Sequence, residues 1–190
     1  MAWLAEDKRA ALTDAGEPLL TEKLKSKLRD TYFPRYPTKK ACLLPGLHLL
    51  QHEYGWIPPQ AMSEIAEFLE ISEGEVIDTA SFYEEYWLQP KGKYLLQVCR
   101  SLACEICRSA ELTSHIEEKL NVESGETSDD QRFTLVELEC LGSCGTAPVL
   151  MINDVLHENV DVEKVDQLIA DLPDDPHAHQ DPTVDWDAGH

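Results

Sequence analysis

The sequence predicts an α/β protein (α+β in its arrangement), in which a helical half precedes a half that mixes strands and helices. Apolar residues recur with the helical period up to about residue 86, and short strand-like runs replace them after the turn-rich segment 89–92. A chain of 190 residues with 43% hydrophobic residues can bury a core and could form one domain or two small ones. We therefore expect an N-terminal helical bundle over 1–90, an α/β domain over 91–172 and a disordered acidic tail over 173–190.

Periodicity and end signals predict three helices in the first half. Apolar residues at i, i+4, i+7 and i+11 predict one helix, and these are Leu43, Leu47, Leu50 and Tyr54. Gly55 is expected to end it, and Pro59 to begin the next helix. Ser72 and Glu75 have the spacing of a capping box that opens a third helix. The buried face of that third helix is expected to contain Val76, Ile77, Ala80 and Tyr83.

The second half alternates between the two-residue period of strands and the 3.6-residue period of helices. Strands are predicted at 93–99, 133–139, 148–153 and 155–158, and helices at 104–120 and from Asp161 onward. The resulting order β-α-β-β-β-α is that of a thioredoxin-like α/β sandwich.

Charge and composition exclude several classes of partner. The net charge of −20 repels nucleic acid and anionic lipid, so we expect no nucleic-acid partner. No apolar stretch approaches the ~20 residues that span a bilayer, so direct membrane insertion is not expected. The N-terminus lacks the apolar core of a signal peptide, and this predicts a cytoplasmic location. Thiols stay reduced there, so six cysteines favour metal or redox chemistry over disulfides.

Four of the cysteines form two close pairs, each directly after a predicted strand. Cys99 and Cys104 make the first pair, and Cys140 and Cys144 the second. Loops at neighbouring strand ends can bring four thiolates around a small inorganic centre, and thiolates select zinc or an iron–sulfur cluster. For a [2Fe–2S] cluster, we expect the helix predicted at Cys104 to supply N–H groups, and Arg100 to supply a positive charge.

Three other interpretations of the cysteines remain open on spacing alone. Cys99-x4-Cys104-x2-Cys107 also matches the plant-type ferredoxin run, with Cys140 or Cys144 as fourth ligand. Cys104 and Cys107 form a C-x-x-C that a thioredoxin-like dithiol oxidoreductase would use, with a proline (Pro148) before a later strand. Structural zinc would accept the same ligand pairs. Cys42 lies among leucines and is expected to have only a packing role.

Over residues 20–172, the chain resembles the E subunit of bacterial NADH–quinone oxidoreductase (complex I). In the helical half, the matching stretches are Tyr36-Pro-Thr-Lys-Lys-Ala-Cys-Leu-Leu-Pro-Gly-Leu-His-Leu-Leu-Gln51, Tyr54-Gly-Trp-Ile-Pro58 and Phe82-Tyr83. In the second half, they are Gly92-Lys-Tyr94, Val98-Cys99, Glu139-Cys-Leu-Gly-Ser-Cys144 and Ala147-Pro148. The resemblance implies a helical domain followed by a thioredoxin-like [2Fe–2S] ferredoxin domain. It also implies one cluster, held by Cys99, Cys104, Cys140 and Cys144.

The resemblance further implies a redox-carrier subunit with no NADH or quinone site of its own. Its cluster would exchange single electrons with the FMN of a partner, the NADH-binding F-type subunit, within the hydrophilic arm of complex I at the inner membrane. Related modules in NAD-linked hydrogenases and formate dehydrogenases are the alternative hosts. The chain departs from the family pattern at Trp87, Leu88 and Cys107. Because the cluster adds negative charge to a chain at −20, we expect a low reduction potential.

Overall fold

The computed structural model describes residues 16–174, so most of the expected acidic tail (175–190) lies outside the described residues. Contacts within the described chain cluster into two units, residues 16–90 and residues 91–174. The first unit is helical, and the second contains a four-stranded mixed sheet with helices. The predicted mixed α/β class is therefore confirmed.

The helical unit contains four α-helices and three shorter helical turns. The α-helices are α1 (Glu22–Lys27), α2 (Leu43–Tyr54), α3 (Pro59–Leu69) and α4 (Glu73–Phe82). A π-helical turn at Leu28–Tyr32 and 3₁₀ turns at Phe33–Arg35 and Lys39–Cys42 connect α1 to α2. One apolar core joins these elements, with Leu47, Leu50 and Ile65 completely buried at its centre.

The predicted end signals of this unit are confirmed, and one predicted face is wrong. Gly55 ends α2 in the left-handed region, with φ of 78°, and Ser72 and Glu75 form the capping box of α4. On α4, however, Ile77 and Tyr83 are 47% and 44% exposed. Val76 and Ala80 fill the core side of this short helix, whereas Ile77 is turned by about 100° from Val76. Tyr83 follows the helix in extended backbone and leaves its face.

The second unit has four strands and three helices. The strands are β1 (Tyr94–Cys99), β2 (Phe133–Leu138), β3 (Leu150–Ile152) and β4 (Val155–His157). The helices are α5 (Leu102–Ile106), α6 (Ser109–Leu120) and α7 (Val162–Asp171), with a 3₁₀ turn at Cys144–Thr146. In the sheet order β2-β1-β3-β4, β1 and β2 are parallel, whereas β3 is antiparallel to both β1 and β4.

The single helix predicted at 104–120 is wrong in its start and its continuity. The chain becomes helical at Leu102, so Cys104 lies inside α5. Arg108 then adopts the left-handed conformation, with φ of 74°, and separates α5 from α6. The apolar periodicity of 104–120 did not reveal this break, because Arg108 carries no glycine or proline signal.

The helices α6 and α7 cover one face of the sheet. Leu96 and Val98 of β1 share a buried cluster with Leu112 and Ile116 of α6 and with Val165 of α7. Both faces of β1 are buried, since Leu95, Gln97 and Cys99 on its other face are also inaccessible. Within residues 16–174, no helix combines the length and the apolar character that crossing a bilayer requires.

Candidate metal centre

Parallel pairing brings the two cysteine loops to the same edge of the sheet. Cys99, the last residue of β1, is paired in register with Leu138, the last residue of β2. The backbone N–H of Arg100 then donates to the carbonyl of Leu138, at 2.9 Å. The loop after β2 carries Cys140 and Cys144, so both pairs start from adjacent strand ends, as the sequence predicts.

The first pair is buried and is held by regular structure. Cys99 and Cys104 are 2% and 1% exposed, and they pack with Val149. The carbonyl of Val149 accepts a hydrogen bond from the N–H of Cys99, at 3.2 Å. Burial raises the pKa of the Cys104 thiol, and a hydrogen bond from the backbone N–H of Val149 partly offsets this rise. Val149 therefore contacts both members of the pair from the start of β3.

The second pair lies in an exposed loop. Cys140 and Cys144 are both exposed, and the backbone N–H of Gly142 donates to Sγ of Cys140 at 3.4 Å. Gly142 has a φ of 80°, where a side chain would be strained, and this allows the loop to fold back on Cys140. The peptide bond between Ala147 and Pro148 is cis, and it follows the 3₁₀ turn that begins at Cys144.

The four thiols influence one another electrostatically. The pKa of Cys104 is raised to about 11, first by burial, then by a hydrogen bond with Cys99, and also by the charge of Cys144. The pKa of Cys144 is raised, first by its hydrogen bond with Cys140, and also by the nearness of Cys99. The negative charge of each thiolate disfavours ionisation of the neighbouring thiols. A cationic centre is therefore needed to keep all four deprotonated.

This donor set fits a dinuclear iron–sulfur group. The pKa of Cys104 responds most to Cys99 among the thiols, and that of Cys144 to Cys140, so the thiols fall into two pairs. A [2Fe–2S] core has two irons that each take two thiolates. Among residues 16–174, no group of three or more His, Cys, Asp or Glu side chains has an arrangement that could hold a single metal ion. Cys107 is exposed at the C-terminal cap of α5. It is not among the causes that raise the pKa of Cys104 or of Cys144. Cys42 is completely buried in the helical core, which confirms its packing role.

The charge expected from Arg100 is paired within the structure. Its guanidinium Nε donates to Oε1 of Glu139 at 3.1 Å and lowers the pKa of that carboxyl group. Arg100 directly follows Cys99, and Glu139 directly precedes Cys140, so the ion pair connects the two cysteine loops. Periodicity and spacing did not reveal this pair. The register of β1 and β2 could have indicated it, because both residues follow the last paired positions, Cys99 and Leu138.

Two apolar side chains are exposed on the helix that carries Cys104. Leu102 is 76% exposed and Ile106 is 73% exposed, and their i, i+4 spacing places them on one face of α5. We call them the α5 pair. This helix packs beside the 3₁₀ turn at Cys144–Thr146, so the α5 pair lies close to the second cysteine loop.

Comparison with known proteins identifies the family of this chain. Residues 30–173 match the family model described as thioredoxin-like [2Fe-2S] ferredoxin. NADH-quinone oxidoreductase subunit 2 of Thermus thermophilus is 40% identical over 143 residues, which cover 74% of this chain and 79% of the relative. The E 2 subunit of NADH-quinone oxidoreductase from Rhizobium meliloti is 36% identical over 135 residues, covering 71% of this chain and 80% of the relative.

A solved structure shares the fold. The NAD+-reducing [NiFe]-hydrogenase in its H2-reduced state matches 70% of this chain with a TM-score of 0.61 and 25% identity. This chain spans only 23% of the length of that hydrogenase chain. By its family match and its relatives, the chain belongs to the thioredoxin-like [2Fe–2S] ferredoxins, in the family of E subunits of NADH-quinone oxidoreductase.

Proposed function

We propose that this chain holds one [2Fe–2S] cluster on Cys99, Cys104, Cys140 and Cys144, and exchanges single electrons with the FMN of an F-type, NADH-binding partner. The bound cluster supplies reversible one-electron storage. The observation that carries the ligand assignment is the parallel register of β1 and β2, which brings both cysteine loops to one edge of the sheet. The mutual influence of these four thiols supports the same set. It favours this set over the plant-type set or a C-x-x-C enzyme, both of which need Cys107.

The protein's own residues position the thiols and limit their contact with water. Val149 and the end of β1 fix the buried pair, whereas the loop after β2 presents the second pair at the surface. An electron carrier needs one protected side and one side that a partner can approach. The exposure of Cys140 and Cys144 supports an approach of the flavoprotein from this loop.

The α5 pair is proposed as part of the surface that meets this partner. Exposing two large apolar side chains four residues apart costs solvation energy, which a protein interface would recover. Their position on the helix of Cys104 supports an interface beside the proposed cluster. The relatives' names support complex I as the host, at its membrane-associated hydrophilic arm, and the hydrogenase likeness supports an NAD-linked hydrogenase as second candidate.

Anaerobic reconstitution with iron and sulfide tests the proposal. We expect two irons and two sulfides per chain, and an EPR signal after dithionite reduction. Cys107→Ser is the matched control, since it removes a cysteine three residues from Cys104 and should leave the iron content unchanged. Cys140→Ser should lower it sharply. A cluster lost in Cys107→Ser but kept in Cys140→Ser would contradict the ligand assignment.

Two further measurements test the proposed partner and the reduction potential of the cluster. The F-type subunit of the same source, carrying FMN, should bind the reconstituted protein and reduce it on addition of NADH. Replacing the α5 pair through Leu102→Ser and Ile106→Ser should weaken this binding without changing the iron content. A redox titration should give a low potential, and a strongly positive value would contradict the charge argument.

A further inference from the structure

Glu158 lies against the loop that carries the exposed cysteines. This residue directly follows β4, and its Oε1 accepts hydrogen bonds from Ser143 Oγ and Thr146 Oγ1, each at 2.9 Å. The two hydroxyl oxygens are 2.7 Å apart. Each hydroxyl has one proton, so when one of them donates to the other only the second donates to Glu158. Ser143 and Thr146 lie on either side of Cys144, so one carboxylate holds the loop at both ends of this cysteine.

Backbone hydrogen bonds continue this connection. The N–H of Asn159 donates to the carbonyl of Thr146 at 2.7 Å, and the N–H of Val160 donates to Pro148 at 2.9 Å. The ammonium group of Lys164, on α7, donates to the backbone carbonyl of Glu158 at 2.5 Å. The segment 158–160 is therefore fixed to α7 on one side and to the cysteine loop on the other.

Apolar packing holds the loop at two positions, where Leu141 and Ala147 pack against the buried cluster of Cys99, Cys104 and Val149. Between them the loop is more open, because a Cβ placed on Gly142 or Gly145 would meet no atom within 4 Å. Cys140 and Cys144 are exposed as well. Around Cys144, hydrogen bonds are the main interactions that add to this packing, and those to the ionised carboxylate are the stronger class.

We propose that Glu158 is a positioning residue for the cluster: through Ser143 and Thr146 it fixes Cys144 at the distance from Cys140 that the cluster requires. The carboxylate contacts neither the thiols nor the cluster, and it acts only through the two hydroxyls. This inference rests on the proposed ligand set, and it deepens the proposed function by assigning a role to a residue outside the cysteine loops.

Three variants separate the hydrogen-bonding role from simple loss of charge. Glu158→Ala removes the acceptor, Glu158→Gln keeps an Oε1 acceptor without the charge, and Glu163→Ala removes the charge of a nearby exposed carboxylate of α7. The first measurement is the rate at which an iron chelator strips the reconstituted protein anaerobically. The second is the EPR line shape of the reduced cluster. The third is hydrogen exchange of the segment 139–147 in the metal-free protein.

For Glu158→Ala we expect iron release roughly tenfold faster, about the effect of losing one charge-assisted hydrogen bond. The EPR lines should broaden because the loop samples more conformations, and exchange in 139–147 should increase. Glu158→Gln keeps the acceptor but loses the charge assistance, so its release rate and line shape should lie between those of Glu158→Ala and the original, and Glu163→Ala should change neither. Ser143→Ala should lose its effect in the Glu158→Ala background, because both changes break the same interaction.

Other outcomes would overturn the inference. An unchanged release rate, line shape and exchange in Glu158→Ala would show that the loop is positioned without this residue. If Glu158→Gln released iron as fast as Glu158→Ala, the proposed role of Glu158 as a hydrogen-bond acceptor would be contradicted. If the unaltered protein itself bound no cluster, the proposed function would fail, and unchanged exchange in the metal-free Glu158→Ala variant would then overturn the positioning role separately.

Discussion

The buried cysteine pair and the exposed cysteine pair are positioned by different physical means. Cys99 and Cys104 are buried in a strand end and a helix, against Val149. Cys140 and Cys144 lie in a glycine-containing loop that depends on hydrogen bonds to its backbone and hydroxyl groups. The buried pair is therefore fixed by the fold, whereas the exposed pair is held by a few polar contacts and by the packing of the neighbouring Leu141 and Ala147.

This difference suits an electron carrier. The buried pair anchors the centre and protects one side from water, whereas the exposed pair leaves the other side open to a partner. A local change at the exposed pair should alter the cluster without unfolding the domain, while a change at the buried pair should alter both.

The largest expected effect is the contrast between Cys104→Ser and Cys144→Ser. A serine oxygen must lose its proton to replace a thiolate, and in the buried site the resulting charge is poorly solvated and the backbone cannot adjust. We expect Cys104→Ser to hold no cluster, and Cys144→Ser to retain part of its iron with an altered EPR signal. Iron and sulfide analysis after identical reconstitution measures this. Equal iron content in the two variants would argue against the distinction.

The next effect concerns stability without the cluster. Val149→Ala should lower the free energy of unfolding of the metal-free protein by about 2 kcal/mol, because it leaves a cavity beside the buried pair. Gly145→Ala is the matched change at the exposed pair, where the added methyl meets no atom within 4 Å, and it should be nearly neutral. Urea unfolding measures both. A neutral Val149→Ala variant would mean that the buried pair is not part of the domain core.

A third prediction uses the alkaline pH dependence of the metal-free protein. The folded state raises the pKa of Cys104 to about 11, so folded Cys104 keeps its proton at a pH where the unfolded thiol has lost it. The contribution to stability is present below the ordinary thiol pKa and is lost as pH rises through about 11. Between pH 8 and pH 10, the free energy of unfolding should decrease more for the original protein than for Cys104→Ala. Equal decreases would contradict the raised pKa.

Sequence patterns predicted the buried pair better than the exposed pair. The strand ending at Cys99, the cysteine loops at neighbouring strand ends and the helical core all follow from periodicity and spacing. Such patterns record which residues face a core, and the buried pair is part of a core. The ligand assignment came from the resemblance, because spacing alone left Cys107 as an alternative.

The missed features depend on contacts between residues distant in sequence. Nothing near Glu158 in the sequence indicates that it reaches Ser143 and Thr146, because the chain must first turn back through β3 and β4. The break at Arg108 was missed for a related reason: a left-handed arginine is favoured by its surroundings, not by its own preference.

The smallest expected effect concerns the ion pair that joins the two cysteine pairs. Arg100→Gln removes a positive charge near the cluster and should lower the reduction potential, while Glu139→Gln should raise it. Each shift should stay below ~60 mV, the tenfold change of a one-electron couple, because both side chains are partly exposed to solvent. The double variant should return close to the original potential, since the two charges cancel. A shift in the double variant as large as in either single one would mean that the ion pair acts by positioning Cys99 and Cys140, and its EPR line shape would then also change.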